Sequence, residues 1–254
     1  AYGDFQVLGK GSILVGYDLQ EFVAADGKLC AAILEQPLDA ETIRVLIIDN
    51  GFKQIFHDTI ELTANCDGEM IYEKENGDHE SSSFKKGDTF TFEATDKKLE
   101  KGRMTLKPED GEGIIITSLE RGQGQPVYSG SMEVKAEEGG LVLINELYLE
   151  DYLKKVVPSE MPASYEKEAL KAQAVCARTY AYRQIQGNAY GQYGAHVDDS
   201  TSFQVYNNIN TSERTDQAVN ETYGQMLFYN NKPIEAFYYY TSCGHGADGS
   251  VWGK

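Results

Sequence analysis

The 254-residue chain is predicted to fold as an α+β protein. Three features carry the prediction. Short β-branched or alternating runs, separated by glycine-bearing turns, occupy roughly the first 150 residues. Two helical periodicities meet around Pro158, and a third helical stretch precedes Gly224.

Taken in order, residues 1–37 form an N-terminal extension with no pattern that assigns them. Ile43-Arg44-Val45-Leu46-Ile47-Ile48 is a β-branched run before Asn50-Gly51, and residues 55–62 come next, which predicts a hairpin across an Asn-Gly turn. Residues 73–88, rich in Glu, Ser, Lys and Gly, read as a loop. Thr89-Phe90-Thr91-Phe92-Glu93-Ala94-Thr95 alternates as a half-buried strand does. Ile114-Ile115-Ile116 and the stretches 127–134 and 141–144 complete the set. Leu149, Tyr152, Leu153 and Val156 stand at helical spacing and predict a helix over 147–156, which Pro158 is expected to end. A longer helix is predicted from near Ser164 to about Gln186, with acidic residues in its first turn. After a Gly/Tyr-rich loop at 187–194, Ser212 as N-cap and Gly224 as C′ residue bound a third helix. Stretches 225–229 and 234–241, joined at Asn230-Asn231, predict a terminal hairpin.

The formal net charge of −17 argues against nucleic acid as a partner, since phosphate binding needs a positive surface. A hydrophobic fraction of 41% suits a globular core. No apolar run approaches the roughly 20 residues that span a bilayer. The chain opens Ala1-Tyr2-Gly3, which leads to the expectation of a leader or anchor removed upstream. Cys30, Cys66, Cys176 and Cys243 form no CxxC pair, so a preformed zinc knuckle is not expected.

Glu160 stands in Ser159-Glu160-Met161-Pro162, directly after Pro158, and is expected on a stiff elbow between two helices. An elbow beside apolar helix faces partly desolvates a carboxyl group, as a general acid requires. An ordinary surface glutamate at a helix boundary fits the same pattern. Gln173 and Tyr180 share one face of the long helix about two turns apart, among alanines that suit close packing. His196, Asp198 and Asp199 are metal-ligand types at short spacing. Tyr238-Tyr239-Tyr240-Thr241-Ser242-Cys243-Gly244-His245-Gly246 offers aromatic faces and hydroxyls to a sugar ring, and equally suits a half-buried strand. A nucleophile reading of Cys243-Gly244-His245 lacks an orienting third group.

The run Leu149-Glu150-Asp151-Tyr152-Leu153-Lys154-Lys155-Val156-Val157-Pro158-Ser159-Glu160-Met161-Pro162-Ala163-Ser164, continuing as Glu168-Ala169-Leu170-Lys171-Ala172-Gln173-Ala174-Val175-Cys176-Ala177-Arg178-Thr179-Tyr180-Ala181, closely resembles the signature of the stage II sporulation protein D family, which also contains the amidase enhancers. The resemblance implies a domain over 38–254 with a helical catalytic core, a β-sheet and a small inserted β subdomain at about 65–126. It also implies that family domains continue past Lys254. Glu160 matches the residue regarded in that family as catalytic in a peptidoglycan lytic transglycosylase. Gln173 and Arg178 match signature positions, Arg178 serving either as a substrate contact or as a tether for the elbow. Many sporulation members hold zinc in this region with a His and two Cys. This chain keeps His196 but has no Cys between Cys176 and Cys243, so a metal-free cleft without cofactors is expected. Ser200, Thr201, Gln204, Tyr206, Tyr240 and Ser242 are expected to line that cleft.

The activity implied by the resemblance is cleavage of denuded glycan strands to 1,6-anhydro ends, in wall remodelling during sporulation. The partners implied are peptidoglycan and a cell-wall amidase, and the implied location is the envelope, anchored or secreted. Two alternatives stand beside it: a noncatalytic, amidase-enhancer-like glycan binder, and a hydrolytic muramidase with Asp198 or Asp199 as second carboxylate.

Overall fold

A computed structural model of the chain describes residues 19–25, 28–34, 41–109, 113–187, 189–206, 210–230, 232–239, 241–242, 244–246 and 248. Strands β1 (Leu19–Ala25) and β2 (Lys28–Leu34) pair as an antiparallel ribbon. Eleven further strands build two sheets: β3 (Thr42–Ile47), β4 (Thr59–Ala64), β5 (Gly68–Lys74), β6 (His79–Phe84), β7 (Thr89–Glu93), β8 (Gly102–Pro108), β9 (Ile114–Ile116), β10 (Val127–Tyr128), β11 (Ser131–Glu137), β12 (Gly140–Tyr148) and β13 (Val197–Asp198). The larger sheet has the order β13-β3-β12-β11-β8-β5-β6 and the smaller one β10-β9-β4-β7. Strand β13 joins β3 in parallel, and the neighbouring pairs further along are antiparallel. The helices are α1 (Leu149–Glu160), α2 (Lys167–Ile185) and α3 (Glu213–Glu221), and a two-residue ladder of β14 (Phe228–Tyr229) and β15 (Lys232–Pro233) lies near the end. The fold is α+β, as the sequence predicts. No helix among the described residues is long and apolar enough to cross a membrane.

Strand alternation explains the core. Ile43, Val45 and Ile47 of β3 face one way, toward Ile60 and Leu62 of β4, Ile114 and Ile116 of β9, and the apolar faces of α1 and α2. Leu46 and Ile48 face the other way and pack with Val142, Ile144 and Ala195. Both faces of β3 are covered, so its sequence reads as a continuous apolar run rather than an alternating one. On α2, Ala174, Ala177 and Ala181 are fully buried in the main core beside Tyr152, Leu153 and Val156 of α1.

Several local expectations are corrected. Pro158 does not end α1: the helix continues to Glu160, with Met161 N–H donating to Val157 O at 2.9 Å and Ser159 Oγ to Lys155 O at 2.6 Å. Proline removes one N–H and restrains only its predecessor, and the buried side chains of Val156 and Val157 hold that last turn against the core. Helix α2 opens at Lys167 rather than near Ser164, because 162–165 close a turn through Tyr165 N–H to Pro162 O at 3.0 Å. The elbow therefore comes after Glu160 instead of containing it.

Asn50-Gly51 lies in a turn, yet β3 pairs with β12 and β13 rather than with residues 55–62. After the turn His57 pairs with Leu141, prolonging the β3 line along β12, and the chain then crosses into the smaller sheet as β4. Residues 73–88, expected as a loop, contain most of the β5–β6 hairpin, turning at Gly77 with φ 86°. The polar residues of β6 sit on an exposed sheet edge and show no alternation. The terminal hairpin is reduced to the short β14–β15 ladder, beyond which 234–239 have no regular secondary structure. Strands from 65–126 do not form a separate sheet; β5, β6 and β8 extend the larger sheet and β7 and β9 the smaller.

Candidate active site

Glu160 is the C-terminal residue of α1, and the next residue, Met161, leaves the helix in an extended conformation. Its half-buried carboxylate accepts two hydrogen bonds on the same oxygen, Oε1: the backbone N–H of Val205 at 2.9 Å and the hydroxyl of Tyr238 at 3.3 Å. Among the described residues no donor is placed on Oε2. Two donors on one oxygen fix the carboxyl plane and leave the other oxygen for a reactant.

Three tyrosines gather around this carboxylate from three places in the chain: Tyr152 of α1, Tyr180 of α2 and Tyr238 of the segment after β15. Burial pushes each of their hydroxyls above the ordinary phenol range, and the Glu160 charge adds to the effect at all three. They stay protonated at neutral pH and present donors or apolar ring surface. Beneath them Tyr206 is wholly buried, its ring 4.8 Å from that of Tyr152 and its hydroxyl donating to Asn145 Oδ1 at 3.0 Å. Asn145 in turn donates to the carbonyls of Ser129 and Ser131, binding this column to β12 and the start of β11.

The residues expected to form the site divide sharply. Gln204 is close to the carboxylate, buried, with its Nε2 donating to Ala177 O at 3.2 Å and to Tyr238 Oη at 2.9 Å. Gln173 is buried on α2 one turn before Ala177, and its Nε2 has no hydrogen-bond partner among the described residues. Ser200 is occupied by Asp198, its Oγ donating to Oδ1 at 2.6 Å. Thr201 is exposed on the adjoining turn. Tyr206 is corrected from a cleft-lining to a core residue, because its ring packs between Tyr128 and Tyr152 and no part of it reaches the surface. Ser242 is exposed, its Oγ accepting from Gly244 N–H at 3.3 Å. Tyr240 lies outside the described residues. Tyr238 and the Val205 N–H are the contacts that sequence reasoning missed. Ala236 is buried while Phe237 and Tyr239 face out, and the unbroken aromatic run Phe237-Tyr238-Tyr239 carries no alternation from which the inward turn of Tyr238 could be read.

Arg178 pairs with the start of α1 rather than with the elbow after Glu160. It donates to both carboxylate oxygens of Glu150 at 2.7 Å each, and to the carbonyls of Val219 and Gln225 at 3.2 Å, binding the start of α1 to the end of α3. With its forked head surrounded by these acceptors and 1% exposed, it presents nothing to a substrate.

The donor set of a zinc site does not fit. His196 Nδ1 accepts the Arg44 N–H at 3.0 Å. Asp199 is wholly buried and holds Arg121 at 2.8 Å and Ile48 N–H at 3.0 Å. Asp198 receives Tyr190 Oη at 2.7 Å in addition to Ser200. These groups face different partners rather than one point, and no sulfur ligand lies in the segment.

The sequence model of the stage II sporulation protein family matches residues 137–229, which span the end of β11 through β14 and include Glu160. An uncharacterized protein of Brachyspira hyodysenteriae is 40% identical over 143 residues, 55% of this chain and 36% of that protein. The stage II sporulation protein D of Bacillus subtilis is 41% identical over 116 residues, 40% of this chain and 34% of that one. The amidase enhancer of Bacillus subtilis is 43% identical over 101 residues, 39% of this chain and 13% of that one. The matched stretches thus span about a third or less of these relatives.

Proposed function

We propose that this chain, whose residues 137–229 carry the stage II sporulation protein domain, acts on the cell envelope in sporulation-related wall remodelling and cleaves peptidoglycan glycan strands as a lytic transglycosylase. The observation that supports the reading is the Glu160 carboxyl held, among the described residues, through Oε1 and not Oε2. Protonated on Oε2, it donates its proton to the glycosidic oxygen as the bond to muramic C1 breaks. The same sugar's C6 hydroxyl then attacks C1 and gives its proton back to Oε2, closing a 1,6-anhydro ring without consuming water. One carboxyl serves as acid and then as base, work of the order of 10² to 10⁴ in rate.

Hydrolysis needs a second carboxylate, as nucleophile or as base for water. Asp199 is locked to Arg121, and Asp198 is held by Tyr190 and Ser200. Neither is poised for that role, which favours the single-carboxyl route over a muramidase. The amidase enhancer among the relatives supports a second reading, a noncatalytic protein that presents glycan to a cell-wall amidase; on the first reading too, such an amidase is the expected partner that supplies denuded strands.

Glu160→Gln keeps the side-chain shape and the Val205 contact but has no proton to donate. The expected outcome is loss of glycan cleavage with strand binding and fold retained. Turnover within a few-fold of wild type would remove Glu160 from the mechanism. Strand binding with no cleavage by the wild type would select the noncatalytic reading.

A further inference from the structure

The hydrogen bonds around Glu160 have a direction that the side chains alone dictate. Ala177 O can only accept, so the Gln204 amide must turn its nitrogen toward it. The same nitrogen reaches Tyr238 Oη at 2.9 Å and, being a donor, occupies a lone pair of that oxygen. The Tyr238 proton is then left to point at Glu160 Oε1, 3.3 Å away. A relay runs from the backbone of α2 through Gln204 and Tyr238 to the carboxylate. The next residue along from Gln204, Val205, delivers its own N–H to the same oxygen.

Resting on the reading of Glu160 as the acid/base group, we infer that Tyr238, aligned by Gln204, is a positioning residue that assigns the working proton to Oε2 of Glu160. With Val205 and Tyr238 both donating to Oε1, that oxygen serves as the carbonyl side of the acid, and the proton is held on the opposite oxygen. After transfer the same two donors stabilise the carboxylate. Gln204, expected to contact substrate, instead acts through Tyr238.

Among the described residues the titratable groups facing Glu160 are Tyr152 from α1, Tyr180 from α2 and Tyr238 from the segment after β15; the Asp198 carboxylate at β13 acts on Tyr152 and Tyr180. None of the three phenols titrates in the range where a carboxyl does. Removing the Tyr238 hydroxyl therefore acts on Glu160 by deleting a donor to its charged form, which favours the protonated form.

The test is the titration of the Glu160 carboxyl carbon by NMR in ligand-free, carbon-13-labelled protein, with the resonance assigned by its loss in Glu160→Gln. In Tyr238→Phe the midpoint is expected to rise by about 1 pH unit, the effect of one hydrogen bond to a charged group. Gln204→Met should raise it by a smaller amount, and the double variant should match Tyr238→Phe, since Gln204 acts only through the phenol. Tyr239→Phe, at an exposed neighbour, should leave it unchanged. In glycan cleavage kcat should fall roughly 10-fold with KM within about twofold, and the high-pH limb of the rate profile should move upward with the NMR midpoint. An unmoved midpoint in Tyr238→Phe would overturn the assignment, as would additive shifts in the double variant. If Tyr238→Phe does not give a native amide spectrum, Gln204→Met alone decides: a raised midpoint supports the relay and an unchanged one refutes it. The titration needs no turnover, so it fails or succeeds separately from the cleavage reading.

Discussion

Arg178 and Glu150 meet through two parallel contacts of 2.7 Å, in surroundings that leave the guanidinium 1% exposed. Replacing Arg178 by Ala would strand the Glu150 carboxylate and free the carbonyls of Val219 and Gln225 as well. Breaking a buried pair from one side costs about 3–5 kcal/mol. Urea denaturation of Arg178→Ala should show a loss of that size. A loss under about 1 kcal/mol would mean that the tether does not hold α1, α2 and α3 together. The aromatic run Phe237-Tyr238-Tyr239 shows how far a single residue can be read from sequence. Tyrosines stand in a row at 238–240, and the sequence does not say which hydroxyl meets Glu160. Nothing local distinguishes one tyrosine from the next. Tyr206 escapes the sequence for a related reason: a tyrosine beside polar residues looks exposed until the rings of Tyr128 and Tyr152 are seen on either side.

At the scale of elements, helices α1, α2 and α3 are legible because their apolar spacing is local. Pairing partners are not. Asn50-Gly51 is a good local turn signal, but β3 takes its partners from residues nearly 100 or more positions away, and only tertiary packing selects β12 and β13. The parallel β13–β3 contact is also where charge is buried. Asp199, just after β13, accepts from Ile48 N–H and holds Arg121, while Arg121 donates to the carbonyls of Ile48, Asp49 and Glu120. Burial pushes the Asp199 carboxyl up to about 6 from an ordinary 3.8, with the Arg121 charge and the Ile48 N–H pulling against it. Because the folded value lies above the unfolded one, this group's contribution to stability is full below about pH 4 and is lost as pH rises through about 6. The whole swing is roughly 2–3 kcal/mol. Denaturant midpoints of wild type and Asp199→Asn should therefore diverge between pH 4 and 7, the wild type losing ground as pH rises. A constant difference, or one of opposite slope, would show that the pair titrates otherwise.

Among the described residues of the whole molecule, the two larger sheets and the three helices share one core, and Glu160 stands where the last turn of α1, the segment around Val205 and the segment carrying Tyr238 converge. The net charge of −17 disfavours nucleic acid, whose phosphates need a positive surface. The measurement that bears most directly on a single-carboxyl lytic cleavage is the mass of the muropeptides released by the chain from amidase-treated strands and from intact peptidoglycan. Ends lighter by one water, the 1,6-anhydro form, appearing from the denuded strands and absent or slow from intact wall, are the predicted result. Reducing ends of full mass would contradict it, because they require a water and a second carboxylate, a role for which neither Asp198 nor Asp199 is poised.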